Sequence, residues 1–180
     1  MTSSGKMSED ASNQTLPSGI ARGLGDKSYE KRKSASLEIT SLVRTLQDRG
    51  DNDKIAGLIT HIAREFVRHK NYNHRKGGLI GLAAVAIGLV SDIDKFLHTL
   101  VPPVLECFDD QESRVCYYAC ESMYNIVKVA RGGILEYFNP LFDGVCCLFD
   151  HTDPDVKVSV PQTSPRTRTG VPAAAPSLPA

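Results

Sequence analysis

The sequence predicts an all-α chain built as a tandem array of helical hairpins, and three observations predict it. Apolar residues recur at spacings of three and four along most of residues 16–157. Clusters of turn-forming residues punctuate them: RGDND at 49–53, KNYN at 70–73, DDQES at 109–113 and HTDPD at 151–155. The chain also superposes on itself. A shift of 41 residues lays 93–116 on 134–157, with Ile93 on Ile134, Leu97 on Phe138, Leu100 on Leu141, Val104 on Val145 and Phe108 on Phe149. The same shift carries Arg75, Gly78, Leu82 and Val85 onto Cys116, Ala119, Met123 and Ile126, and a shift of 43 links Arg32, Ala35 and Ile39 to Arg75, Gly78 and Leu82.

Each unit reads as two antiparallel helices. The first unit has a short leading helix near 20–24 and a long one at 29–47. The second uses 53–69 and 74–90, the third 92–108 and 111–129, and the fourth opens with 134–149. Helix pairs with a period near 40 are the HEAT or armadillo signature, in which no unit buries its apolar face alone and stacking supplies a continuous core. The expected fold is therefore a HEAT/armadillo-like α-solenoid of about three and a half helical-hairpin repeats over residues 16–157. It is flanked by a disordered N-terminal segment, 1–15, and a disordered Pro-rich tail, 158–180. That tail, VSVPQTSPRTRTGVPAAAPSLPA, holds half of the 10 prolines, and low-complexity Pro, Ala, Ser and Thr cannot repay the entropy of ordering. Val158 and Ser159 at the break are compatible with a read-through splice donor, hence a truncated isoform or gene model. PSLP at 176–179 has the PxxP form, which chance also produces in such a tail.

The stretch RKGGLIGLAAVAIGLV at 75–90 tests the array. Its uncharged part, 79–90, would span only about 18 Å as a helix, against roughly 30 Å of hydrocarbon, so it cannot cross a membrane. A phosphate-binding loop is excluded too: the nearest lookalike, GLGDKS at 23–28, has Asp26 where a glycine must precede the lysine, and no β-branched strand leads into it. A buried central helix remains, covered by repeats on both sides. Its glycines each cost about 1 kcal/mol of helix propensity and permit close backbone approach. Gly78, Gly81, Leu82, Ala119 and Met123 are the expected packing positions. The small residue three after each basic position, Ala35, Gly78 and Ala119, is expected where adjacent second helices touch.

The strings YEKRK, HRKGGLIGLAA, YYACE, YNIVKVARG and LFDG resemble the amino-terminal repeats of the Vac-fourteen family over residues 17–157. The resemblance implies a non-catalytic scaffold that holds a PIKfyve-type phosphatidylinositol 3-phosphate 5-kinase together with an opposing Sac-domain phosphoinositide phosphatase. It implies a cytoplasmic protein, peripheral on endosomal or vacuolar membranes through its partners, acting in the making and turnover of phosphatidylinositol 3,5-bisphosphate. Two departures stand out. Cys116 occupies a position where the repeat pattern and the family favour Arg, and the family's long carboxy-terminal half, to which self-assembly and phosphatase binding are assigned, is absent from these 180 residues.

Catalytic, metal and cofactor sites are not expected. Cys116 and Cys120 lie four apart with no second pair at ligand spacing, and five cysteines within apolar segments read as small hydrophobes of a reducing compartment. His61, His69, His74, His98 and His151 are scattered outside any nucleophile motif. The 21 basic and 21 acidic residues give no net field for nucleic acid. A recurring basic position, Lys31, Arg32 and Lys33, then Arg75 and Lys76, then Lys157, reads either as a ladder pairing with turn acids of neighbouring repeats or as a patch for a partner or anionic lipid. An armadillo-like adaptor binding an extended peptide is the alternative to the scaffold.

Overall fold

A computed structural model describes residues 16–149. Seven α-helices follow one another: α1 (Ser18–Leu24), α2 (Tyr29–Asp48), α3 (Asn52–Ile62), α4 (Tyr72–Leu89), α5 (Leu97–Leu105), α6 (Ser113–Ala130) and α7 (Phe138–Phe149). No strand occurs among the described residues. Successive pairs form hairpins stacked as an α-solenoid, with α1, α3, α5 and α7 in one layer and α2, α4 and α6 in the other. The 41-residue shift is visible in the helices themselves: it carries α4 onto α6 at both ends and the start of α5 onto that of α7. The expected disordered segments, 1–15 and 158–180, and Lys157 lie outside the described residues.

Local chemistry sets the helix ends. Gly50, at φ 73°, closes α2: its amide bonds to the carbonyl of Gln47 (2.9 Å) and the Asp51 amide to that of Leu46 (2.9 Å), a Schellman closure that needs a left-handed residue. The next two units have no glycine there. Val90 (φ 49°) and Arg131 (φ 51°), 41 residues apart, make the turn instead. The chain then runs on as 3-10 helix, Val90–Phe96 and Arg131–Tyr137, before α5 and α7 begin. The single helices expected at 92–108 and 134–149 are thus split. Pro102 and Pro103 shorten α5 further, since neither has an amide hydrogen to give. Likewise α3 leaves α-helical geometry through one π turn, Ala63–Val67, where the Arg68 amide reaches the carbonyl of Ala63 (3.2 Å).

The core follows the stripe of apolar residues. Ile39, Ile59, Leu82, Leu100 and Ile126 are all 0 % exposed, one or more from each described hairpin. Helix α4 is enclosed nearly all round: from Gly77 to Leu89 only Ile80 and Ile87 reach solvent appreciably. Its glycines make that possible. A Cβ on Gly77 would collide with the carbonyl of Leu24, one on Gly78 would lie 2.7 Å from the Val67 nitrogen, and one on Gly88 would lie 2.8 Å from the Val43 Cβ. Gly81 is less tight, its nearest neighbours being methyl tips at 3.4 Å.

These contacts correct the expected role of the small residues. Gly78 meets Phe66 and Val67 of its own hairpin, and Ala35 meets Gly23 of its own hairpin, where a Cβ would come to 2.8 Å. The position three after the basic residue therefore brings together the two helices of one unit. Adjacent second helices touch at Gly88, eleven residues further along α4 than Gly77. The shift that relates units cannot by itself say which neighbour a small residue faces.

Two glycines at opposite extremes test this packing. Gly77→Ala should lower stability by about 1–3 kcal/mol, because backbone must move to admit the methyl group. Gly19→Ala in α1, where nothing lies within 4 Å, should raise it by about 0.5–1 kcal/mol from helix propensity alone. Denaturant midpoints of the two variants check both signs.

Candidate interaction surface

The start of each second helix carries a residue that closes the preceding turn. Arg32 donates from Nη1 to the carbonyls of Asp26 (2.8 Å) and Lys27 (2.9 Å), and Arg75 donates from Nη1 to those of His69 (3.1 Å) and Lys70 (3.0 Å). The offsets of six and five residues are identical. Cys116 keeps the first of them, its Sγ lying 3.2 Å from the carbonyl of Asp110. The thiol replaces a guanidinium at a position that is buried in the first and third units and partly buried in the second: Arg32 is 3 % exposed, Cys116 0 % and the Arg75 side chain 17 %.

Turn residues recur in the same way. The Asp26 Oδ1 accepts the Ser28 amide (2.8 Å), the His69 Nδ1 accepts that of Asn71 (2.9 Å), and the Asp110 Oδ1 accepts that of Glu112 (2.9 Å). Asp110, so held, meets Arg75 of the unit before: Nη2 donates to Oδ1 at 2.9 Å, and Nε lies 2.8 Å from Oδ2 as a charge contact outside hydrogen-bond geometry, with both side chains largely buried. One charge-assisted hydrogen bond and a second close charge contact thus join the two units. The corresponding partner of Arg32 would be His69, which has no carboxylate, and the Arg32 plane lies 5.8 Å from the Tyr118 ring centre instead. On the first-helix side the same units are joined by Arg68 and Glu106, through bonds of 2.9 and 2.7 Å.

The remaining basic residues divide. Lys31 pairs with Asp26 at 2.9 Å in solvent. Lys76 lies 4.6 Å above the Tyr72 ring; partial burial, then the nearby Arg32 and Arg114, hold its pKa down. Lys33 is exposed and makes no ion pair with a described residue. Leu82, Ala119 and Met123 are buried in the core. Among the described residues no group of three His, Cys, Asp or Glu is placed to hold a metal, and no helix is long and apolar enough to cross a membrane. Burial pushes the Cys107 thiol up to about 12, which makes it unreactive at neutral pH.

A groove that the repeat pattern does not reveal runs along the second-helix layer. Between α2 and α6, over α4, lies a cavity of about 370 Å³ bordered by Lys33, Leu37, Arg44, Ile80 and Tyr118. A further cavity of about 600 Å³ continues past Ile87 and Asn125, which border both, to Val90, Lys128 and Arg131. Leu37 is the signal that the sequence does offer. It falls outside the core stripe of Ala35, Ile39 and Val43, and it is 63 % exposed.

At the first junction His74 is packed between Phe66 (ring centres 5.9 Å) and His69 (4.1 Å), with its ring beside Gly25. Burial, then the neighbouring His69, lowers its pKa from 6.5. The unfolded chain therefore binds the proton more readily, so His74 makes stability fall as pH drops below about 6.5. His74→Phe should reduce that fall between pH 7 and pH 5, as read from melting temperature against pH.

Substitutions at the third turn check the register. Asp110→Ala should cost roughly 2 kcal/mol, since it strands the Arg75 guanidinium. Cys116→Arg should fold and change stability by no more than about 1 kcal/mol, the new guanidinium reaching the carbonyls of residues 110 and 111. Cys116→Glu, a buried anion facing carbonyl oxygens, should not fold. Circular dichroism with thermal melts separates the three.

Comparison with known proteins gives a consistent result. The family model described as the Vacuolar 14 Fab1-binding region matches residues 73–163. The chain is 49 % identical over 142 residues to the Protein VAC14 homolog of Arabidopsis thaliana, covering 79 % of this chain and 19 % of that one. It is 46 % identical over 140 residues to the Vacuole morphology and inheritance protein 14 of Saccharomyces cerevisiae, and 45 % identical over 140 residues to the Protein VAC14 homolog of Schizosaccharomyces pombe. Each of those matches covers 77 % of this chain, and 16 % and 17 % of the relative. The chain thus spans less than a fifth of the length of these curated relatives. No solved structure matches it significantly.

Proposed function

This chain belongs to the Vac14 family, and we propose that it is a non-catalytic scaffold segment that binds a Fab1-type lipid kinase in the pathway of phosphatidylinositol 3,5-bisphosphate. The observation that carries this reading is the match of the Fab1-binding region to residues 73–163, a stretch that contains α4, α5, α6 and α7. Stacked hairpins are suited to holding a partner, because rigid helices present a long, continuous surface, and none of the described clusters of titratable residues forms an enclosed reaction site. In this reading the chain acts in the cytoplasm, peripheral to vacuolar or endosomal membranes through its partner; the name of the budding-yeast relative, a vacuole morphology and inheritance protein, supports the vacuole.

The matched region is described by its binding of Fab1, so the proposal covers the kinase contact and does not extend to a Sac-domain phosphatase. An adaptor for basic cargo peptides is the less favoured reading, because Lys33, Arg44, Lys128 and Arg131 border the groove where such a peptide would lie.

The tagged chain, expressed in yeast and purified under mild conditions, should recover the Fab1-type kinase without the phosphatase, as read by immunoblot. A folded chain that recovers no kinase, or that brings down basic import cargo in its place, overturns the proposal.

A further inference from the structure

Most of the exposed large apolar residues of the described chain fall into two groups, with Tyr72 and Tyr124 outside both. Tyr29, Leu37, Ile87 and Val90, between 40 % and 63 % exposed, all border the groove of the second-helix layer, whereas Leu135, Phe138 and Phe142 lie together at the α7 end. Exposed apolar groups gathered into a concavity mark a binding surface, while the same groups dispersed would not. The groove floor comes from α4. Ala83 and Ala84 keep it low between the walls of α2 and α6, and Ile80 and Ile87 line it.

Charge at the rim has one dominant sign. Lys33 and Arg44 stand on the α2 wall, and Lys128 and Arg131 stand at the far end, against Glu121 and Asp94. Those four cations form no ion pair with another described residue, although Lys31, Lys54, Arg64, Arg68, Arg75 and Lys95 all do. Along α2 the wall from Tyr29 to Arg44 is about 22 Å long, enough for roughly four turns of a helix. Val90, 57 % exposed, adds an apolar side chain to the far cavity, at the turn that ends α4.

We propose that this groove is a docking site for an acidic amphipathic helix of a partner polypeptide, whose apolar face lies on Leu37, Ile80 and Ile87 and whose carboxylates meet Lys33, Arg44, Lys128 and Arg131. The inference goes beyond the kinase reading, because it defines the occupant by its chemistry and the site by its residues. The chain's own remaining segments are poor occupants: residues 150–180 balance three aspartates with three basic residues and are interrupted by six prolines, and residues 1–15 contain no amphipathic run. A bilayer is flat and does not reach the floor of a groove between helices.

Fluorescence anisotropy on the full 180-residue chain tests the proposal with three labelled synthetic peptides of about 16 residues. One places Leu along a single helical face with Glu and Ala elsewhere, one replaces Glu by Lys, and one scrambles the first. The Glu peptide should bind, and the Lys and scrambled peptides should bind at least about tenfold more weakly. Leu37→Ser and the pair Lys33→Glu with Arg44→Glu should each weaken the Glu peptide by about tenfold, while Phe142→Ser, on the α7 surface, should leave it unchanged. All of these side chains are solvent-facing, so circular dichroism should show the variants folded. Equal binding of the Lys peptide, unchanged binding by the groove variants, or displacement of the Glu peptide by phosphatidylserine vesicles would overturn it. Kinase recovery that survives in the groove variants separates this site from the function proposed above.

Discussion

The carbonyl of Leu24 lies so close to Gly77 that no side chain fits between them, and this one approach sets the spacing of the first two hairpins. From there α4 can be touched on every side: by α1 at Gly77, by the end of the α3 segment at Gly78, and by α2 at Gly88. Each glycine weakens the helix by about 1 kcal/mol. Full burial of an Ile or Leu contributes about 1.5–3 kcal/mol, and α4 packs several of them, so close stacking outweighs the loss. The groove is a consequence of the same small side chains. A floor made with Ala83 and Ala84 sits below walls carrying Leu37 and Tyr118.

Much of this is legible in the sequence. The 41-residue shift yields the hairpins, and the continuous apolar run from Leu79 identifies the enclosed helix. Of the basic positions after the turns, Arg75 lies on an acid of the neighbouring turn, Asp110, while Arg32 meets the Tyr118 ring instead. Other features are hidden for definite reasons. A period places a residue in its unit but does not say which neighbour it faces, so spacing alone directs Ala35 and Gly78 toward the wrong helix. The 3-10 segments at 90–96 and 131–137 are invisible because their residues keep the spacing of a helix while the backbone turns at Val90 and Arg131. The groove escapes because a repeat comparison rewards what recurs. Leu37 does not recur: Ile80 follows it in α4 but is partly covered, and the matching position in α6 is Glu121.

The turn-closing residue shows how a repeat tolerates change. Arg32, Arg75 and Cys116 share one backbone role, the capping of carbonyls five or six residues earlier, and differ in what else they do. Arg75 reaches across to Asp110 of the following turn, Arg32 finds the Tyr118 ring, and Cys116 does neither. The local turn therefore survives with either Arg or Cys at this position, because each offers a donor that meets a carbonyl.

The two described junctions between complete hairpins are joined by different physics. Neutral bonds tie the first to the second, Thr40 to the carbonyl of Ala84 (3.2 Å) and Gln47 to that of Leu89 (2.9 Å). Charged pairs tie the second to the third, Arg68 with Glu106 on one edge and Arg75 with Asp110 on the other. Ions in solution screen the exposed Arg68 pair and leave an amide bonded to a carbonyl almost untouched. The array is consequently a rod with unequal joints: raising ionic strength loosens the edge at Arg68 while the opposite edge, where Arg75 and Asp110 are sheltered, stays closed. The loss is no more than about 1 kcal/mol, because the buried core that runs through Leu82, Val85, Ala119 and Met123 holds the same junction whatever the salt.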